Sequence, residues 1–250
     1  MIRALAQKEL RSFFASPLAW VILAVASLIL AWIFLLQVDL FLRVMPRLAL
    51  YPHEAGVTAL VAMPLLRSAT IILLLLTPLL TMRLISEERR QKTLDLLYSS
   101  PVRVTEIVLG KYLGLLGFLG ALLALIVLMP VSLELGTHLD WGLLAAGTLG
   151  LALVMAAFAA AGLYLSSLTE QPTLAAISSF GLLLFLWIIS WAARGHGPGS
   201  HILRYVSLLN HFSAFMRGEV RVSDILYYLL FIALFLALTI RRLDADRLEH

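Results

Sequence analysis

Residues 18–38 run without one charged side chain. A backbone in hydrocarbon finds no water to bond, so a run this long and apolar has one stable form in lipid: a helix with its hydrogen bonds internal. At 1.5 Å per residue it crosses the roughly 30 Å hydrocarbon core of a bilayer. It exceeds a signal-peptide core and no small-residue cleavage site follows it, so it reads as a retained anchor. Five further apolar runs occupy 65–85, 107–133, 141–168, 173–193 and 225–240. Ser223 or Asp224 suits the N-cap of the last. The expectation is an all-α polytopic membrane protein with six transmembrane helices, forming a single membrane domain over residues 1–250.

Composition agrees. Apolar residues make up 61% of the chain and charged residues 14%, against about 45–50% and about 25% in soluble domains. The net charge of +4 sits at the ends of apolar runs, which is how membrane proteins set topology and not a nucleic-acid footprint. Arg67 and Arg83 fall near the two ends of the second run, where both side chains snorkel. The N-terminus, the 83–111 loop, the 168–172 turn and the C-terminus together hold twelve Lys and Arg, and the opposite side holds seven over longer segments. Both termini are therefore expected in the cytoplasm, in a multi-pass protein. The absence of cysteine excludes disulfides and thiolate metal sites.

Three pieces do not span. Residues 1–16 place Ile2, Leu5, Leu10, Phe13 and Phe14 on one helical face and Arg3, Lys8 and Arg11 elsewhere. That pattern predicts an amphipathic helix in the membrane interface, ended by Ser16-Pro17. The segment 194–224 opens on Gly197-Pro198-Gly199 and continues as an apolar-aromatic stretch with Arg204 and His211. It is too short to span, so 200–218 reads as a re-entrant or interfacial helix. The loop 39–64 is punctuated by proline and is expected to be partly helical. The closing Leu248-Glu249-His250 is compatible with an expression-tag remnant.

Catalytic chemistry is missing. No Asp, Glu, Lys or His falls in the middle of a span, which argues against a proton-driven transporter and against an intramembrane hydrolase. Gln37, Thr77, Thr148, Ser178, Ser179 and Ser190 are read as bonding to their own helix or a neighbour. His196, His201 and His211 lack a metal-ligand pattern beside acidic partners, so no metal site is expected. Gly110-Lys111 is followed by Tyr112, and Thr105 stands where a phosphate loop would need its leading glycine. No cofactor is expected on this chain; any nucleotide must be bound by another polypeptide. Gly110, Gly114, Gly117 and Gly120, and then Gly142, Gly147, Gly150 and the run 156–162, recur at spacings that let helix backbones approach closely. They do not by themselves identify a dimer face.

The 83–111 segment carries six of the nineteen Lys and Arg residues. On a helix starting near Ser86, Leu94, Leu97 and Tyr98 share one face. Glu87 and Glu88 sit in its first turn, where the helix dipole favours carboxylates, and Ser100-Pro101 stops it. A solvated loop that merely sets topology is the plainer alternative. The segment resembles the cytoplasmic loop of ABC-2 type permeases, the membrane subunits of one class of ABC exporters. The resemblance rests on Glu87-Glu88, the basic cluster from Arg89 and Arg90 to Lys92, Thr93-Leu94 with Leu97, Ser100-Pro101 and Gly110-Lys111. Lys92 departs from the family, which often has glycine before the threonine. Lys8-Glu9-Leu10 with Phe13 and Ser16-Pro17 is similar to the family's opening. Asn210-His211-Phe212, Phe215, Arg217-Gly218, Asp224 and Tyr227-Tyr228 are similar to its gliding-motility class.

The resemblance implies an ABC-2 (type V exporter-like) architecture, homodimeric or pseudo-dimeric, in the bacterial inner membrane. Each protomer would dock on a separate ABC ATP-binding subunit that holds ATP and Mg. Residues 1–17, with Lys8, Glu9, Leu10 and Phe13, would form a connecting helix. Residues 86–101, with Glu87, Glu88, Arg89, Arg90, Thr93, Leu94, Leu97, Tyr98 and Pro101, would form the coupling helix that docks on the ATPase. An auxiliary membrane protein with a large extracytoplasmic domain accompanies many members of the gliding-motility class. Such a chain is expected to be a permease subunit and not itself an enzyme. A mechanotransmitting subunit that moves no substrate is the other open reading.

Overall fold

The computed structural model describes residues 1–48, 56–93, 103–192 and 207–249. All regular structure among them is helical. The helices are α1 (Ile2–Ala15), α2 (Pro17–Leu48), α3 (Met63–Thr81), α4 (Ser86–Arg90), α5 (Val104–Val131), α6 (Trp141–Ser167), α7 (Pro172–Ala192), α8 (Leu208–Phe215) and α9 (Val222–Glu249). Six of them, α2, α3, α5, α6, α7 and α9, are long and apolar enough to cross a membrane. The chain is a multi-pass membrane protein.

Three spans run further than their apolar cores. Helix α2 continues past Val38 to Leu48, because Asp39 and Arg43 pair along one exposed face at 2.9 Å while Phe41 packs on the core. A π-helical turn, Thr58–Ala62, leads straight into α3. Pro64 lies inside this continuous helix, directly after the π-helical turn, a local adjustment of the kind by which a membrane helix accommodates a proline. Nine helical residues thus precede Arg67, about 14 Å of helix. Helix α9 runs on past Ile240 to Glu249 and buries Leu243.

Helix α6 is the central post. Of its most apolar stretch 61% is buried, against 22% for α7 and for α9. Small residues make this possible. A Cβ on Gly147 would strike Leu66 at 2.8 Å, one on Gly150 would strike Phe215 at 2.6 Å, and one on Gly162 would strike Thr81 at 2.4 Å. Ala157 and the three alanines 159–161 are fully buried between these contacts. Helices α3 and α8 therefore seat against α6 nearly backbone to side chain, the close approach that substitutes for a hydrophobic drive inside lipid. Pro78 interrupts the ladder of α3, and the hydroxyls of Thr77 and Thr81 donate to the carbonyls of Leu73 and Thr77 around the gap, at 2.7 and 3.0 Å.

The chain threads back and forth, so α1, α4, the start of α5, the α6–α7 turn and the end of α9 share one end of the bundle. The start of α3, the end of α7 and α8 share the other. Helix α8 is a short buried element whose N-cap, Ser207, accepts from the N–H of Asn210 at 3.2 Å. The part of the expected 200–218 element before Ser207 lies outside the described residues.

Candidate functional site

Helix α1 lies in a groove cut by glycine. A Cβ on Gly110 would meet Leu5 at 2.6 Å, one on Gly114 would meet Glu9 at 2.5 Å, and one on Gly117 would meet Leu10 at 3.0 Å. Three steps of the glycine series on α5 are thus a bed for α1 of the same chain; Gly120 faces open space. Residues 2, 5, 6, 9, 10, 13 and 14 are the part-buried stripe of α1, and Arg3, Lys8 and Arg11 point away. Phe13 stacks on Phe118 with ring centroids 5.3 Å apart, and Phe14 meets the same ring tilted, at 5.5 Å. The Trp20 indole N–H donates to the Phe14 carbonyl at 2.8 Å, clasping the end of α1 to α2.

One turn into that groove stands Lys111, 3% exposed. Its Nζ donates to Glu9 Oε1 at 3.1 Å and to Glu88 Oε1 at 2.6 Å. A lone buried ammonium would cost several kcal/mol, and two carboxylates within reach offset that cost. The side chain also binds three elements together, because Glu9 belongs to α1, Glu88 to α4 and Lys111 to α5. In the sequence Lys111 marks only the entry to a span. It is the hub.

Helix α4 is held from both sides. At its start the Ser166 hydroxyl of α6 accepts from the N–H groups of Ile85 and Ser86, both at 3.2 Å, and donates to the Met82 carbonyl at 3.2 Å. Its end differs from the expected single helix over 86–99. Helix α4 stops at Arg90, and Lys92 takes a left-handed conformation with φ 55°. The Thr93 N–H then bonds the Glu88 carbonyl at 3.0 Å and the Lys92 N–H bonds the Arg89 carbonyl at 3.1 Å. These two bonds define a Schellman turn, in which the residue past the cap is normally glycine. Lys92 occupies the place where the resembled family often has glycine, and the geometry supplies the physical reason for that preference.

Two side chains expected on a docking rim point inward. Glu88 belongs to the Lys111 hub, and Arg89 pairs with Asp246 near the end of α9. Asp246 also meets Arg242 at 3.4 Å. Arg90 and Glu87 stay at the surface, paired at 2.7 Å, with Gln91 donating to Glu87 at 2.8 Å. Thr93 Oγ1 donates to the Glu88 carbonyl at 3.3 Å. Leu94, Leu97, Tyr98 and Pro101 lie outside the described residues. A cleft of about 280 Å³ opens between α1 and the corner joining α3 to α4, lined by Lys8, Glu9, Phe13, Arg83, Glu87 and Lys111 among others. The Asp246 contact escaped the sequence because a span ending at Ile240 left the charged tail unassigned.

At the opposite end, the motif around residues 210–228 gathers into one cluster. His211 Nδ1 lies 2.6 Å from Asp224 Oδ1 and the imidazole stacks on Tyr227 with centroids 4.1 Å apart. The sequence reading found no acidic partner for His211; the turn between α8 and α9 brings one. Tyr228 is fully buried and donates to the Leu208 carbonyl at 2.6 Å. Gly218 takes φ +78°, a conformation glycine adopts freely, and reverses the chain between the two helices. These residues clamp α8 onto α9.

Residues 3–248 match the family model described as ABC-2 family transporter protein. Among curated proteins nothing matches the chain.

Proposed function

The chain belongs to the ABC-2 transporter family, and from that membership we propose that it is the permease subunit of an ATP-driven exporter in the inner membrane of a bacterium. Both termini face the cytoplasm, so the end of the bundle bearing α1 and α4 meets a separate ATP-binding subunit. Two copies of the chain, or this chain and a homologous one, enclose the path. ATP and Mg belong to the partner, in keeping with the lack of a phosphate loop here.

The observation that carries this reading is the Lys111 hub, which joins α1, α4 and α5 through Glu9 and Glu88 at 3.1 and 2.6 Å. A force applied to the loop after α4 would not be absorbed by a slack linker. It would pass to α1 and α5 through Lys111, to α6 through Ser166 and to α9 through Asp246. Leu94, Leu97 and Tyr98 supply the apolar contact with the ATPase, with Glu87 and Arg90 at the rim. Glu88 and Arg89 hold the segment to its own protomer.

The test is the double substitution Leu94→Asp and Leu97→Asp, which leaves every Lys and Arg in place and so leaves topology alone. Burying an unpaired charge in an apolar groove costs several kcal/mol, so the ATP-binding subunit is expected to be lost on co-purification. A double variant that still assembles and keeps coupled ATPase activity refutes the docking role. ATPase stimulation with no substrate movement in sealed vesicles would instead assign the chain to mechanotransmission.

A further inference from the structure

Arg67 makes no ion pair or hydrogen bond with any other described residue. It is the one charged residue of α3 and follows nine helical residues from Thr58. Ionisable groups at such positions are rare and usually mark a site. Arg67 opens into a cavity of about 380 Å³ between α3, α7 and α8, lined also by Thr70, Trp187, Ser190, Phe212 and Ser213. The hydroxyl protons of that wall are already used. Thr70 donates to the Leu66 carbonyl at 3.1 Å, Ser190 to Trp187 at 2.5 Å and Ser213 to Asn210 at 2.7 Å. The guanidinium and the Trp187 indole N–H are thus the donors left for a ligand, and the ligand must bring acceptors.

The surroundings narrow the class of that ligand. None of the described residues lining the cavity is a carboxylate, so none of them would hold the ammonium arm of a zwitterion. Below Arg67 on the same face, Ile71, Leu75 and Leu79 follow at four-residue steps and are 47%, 51% and 42% exposed. That ledge leads about 18 Å along the span and suits an acyl chain. Trp187 lines the same cavity, and tryptophan is enriched at the level of lipid headgroups.

We propose that this cavity binds the phosphate of an anionic phospholipid from the leaflet opposite α1, with Arg67 as the phosphate ligand and the Ile71–Leu75–Leu79 ledge as the chain track. The proposal rests on the six spans and the cavity, and holds whether or not the chain is an exporter.

The experiment is native mass spectrometry of the purified full chain, titrated in turn with short-chain phosphatidylglycerol, short-chain phosphatidylcholine and sodium phosphate. The native chain is expected to retain phosphatidylglycerol over phosphatidylcholine. Arg67→Gln, which breaks no ion pair or hydrogen bond among the described residues, is expected to lower that retention about tenfold, the scale of a lost charge-assisted bond; Arg83→Gln, just past the other end of α3, leaves it unchanged. Ser213→Phe, which fills the cavity and keeps the charge, is expected to reproduce the loss. Unchanged retention in both the Arg67 and Ser213 variants overturns the site. Equal retention of phosphatidylcholine overturns the anionic class, and displacement by equimolar inorganic phosphate overturns the amphiphile. Should Arg67→Gln weaken self-association and spare retention, Arg67 belongs to a carboxylate on a second copy, and the proposal falls.

Discussion

Single side chains at the α4 corner carry more than their size suggests. Lys111 holds two carboxylates at the largely buried wall of the cleft, so Lys111→Met leaves Glu9 and Glu88 facing one another unpaired. Breaking a buried ion pair by removing one partner costs about 3–5 kcal/mol. The unfolding midpoint in detergent is expected to fall accordingly, and the triple variant with Glu9→Gln and Glu88→Gln to recover most of the loss. A single variant as stable as the native chain would show that the hub contributes nothing. Lys92 gives a test with the opposite sign. A left-handed L-residue costs roughly 1–2 kcal/mol, while glycine's extra unfolded-state freedom costs about 0.5–1 kcal/mol, so Lys92→Gly should be neutral or mildly stabilising. Lys92→Val, β-branched at φ 55°, should destabilise by about 1 kcal/mol or more. If the two variants unfold alike, the turn does not have this geometry in solution. Ser166→Ala strips the hydroxyl from two buried N–H groups and is expected to cost about 1–3 kcal/mol.

Among the elements, the pairing of α1 with α5 decides whether the N-terminus is an attached helix or a loose basic flank. The glycine bed makes this testable within one series of positions. On Gly114 a Cβ would sit 2.5 Å from that of Glu9 and 3.0 Å from the Ala6 carbonyl, whereas Gly120 has nothing within 4 Å. Gly114→Val should therefore lift α1 from α5, seen as faster proteolysis after Arg3, Lys8 and Arg11, and Gly120→Val should not. Equal protection in the two variants would remove the close approach. The glycine spacing was legible in the sequence, but its partner was not. Small residues at three- and four-residue steps announce that something comes close, and α1, a second copy and another span all satisfy that pattern. The exposed side of α5 at Gly120 shows that the series does not serve one partner throughout.

Across the whole molecule, the alternation of six spans places Gln91 and Val220 at opposite ends of the bundle. Cysteine introduced in place of Val220, which is 50% exposed, should react with an impermeant thiol reagent added outside intact cells, and one at Gln91 should not. The reverse labelling would invert the topology and move the α4 corner away from any cytoplasmic ATPase. The same alternation gives the two ends different chemistry. One is a lattice of ion pairs among α1, α4, α5 and α9. The other is an aromatic clamp around His211 and Tyr228 with the Arg67 cavity beside it.

The sequence by itself determined the class, the number of spans, the amphipathic stripe of α1 and the lack of a nucleotide loop. Each is a one-dimensional property: hydrocarbon imposes run length, the helix imposes a 3.6-residue period, and a phosphate loop needs contiguous residues. Only the tertiary structure decided which charges are spent inside the protomer. Glu88 and Arg89 look like neighbours on a docking rim until Lys111 and Asp246, 23 and 157 residues away, arrive from α5 and α9 to neutralise them. Desolvation is the reason. A charge buried by packing must find its partner in space, and the one that does is set by which helices meet, not by spacing along the chain. Arg67 is the converse case, a charge to which packing brings no partner among the described residues.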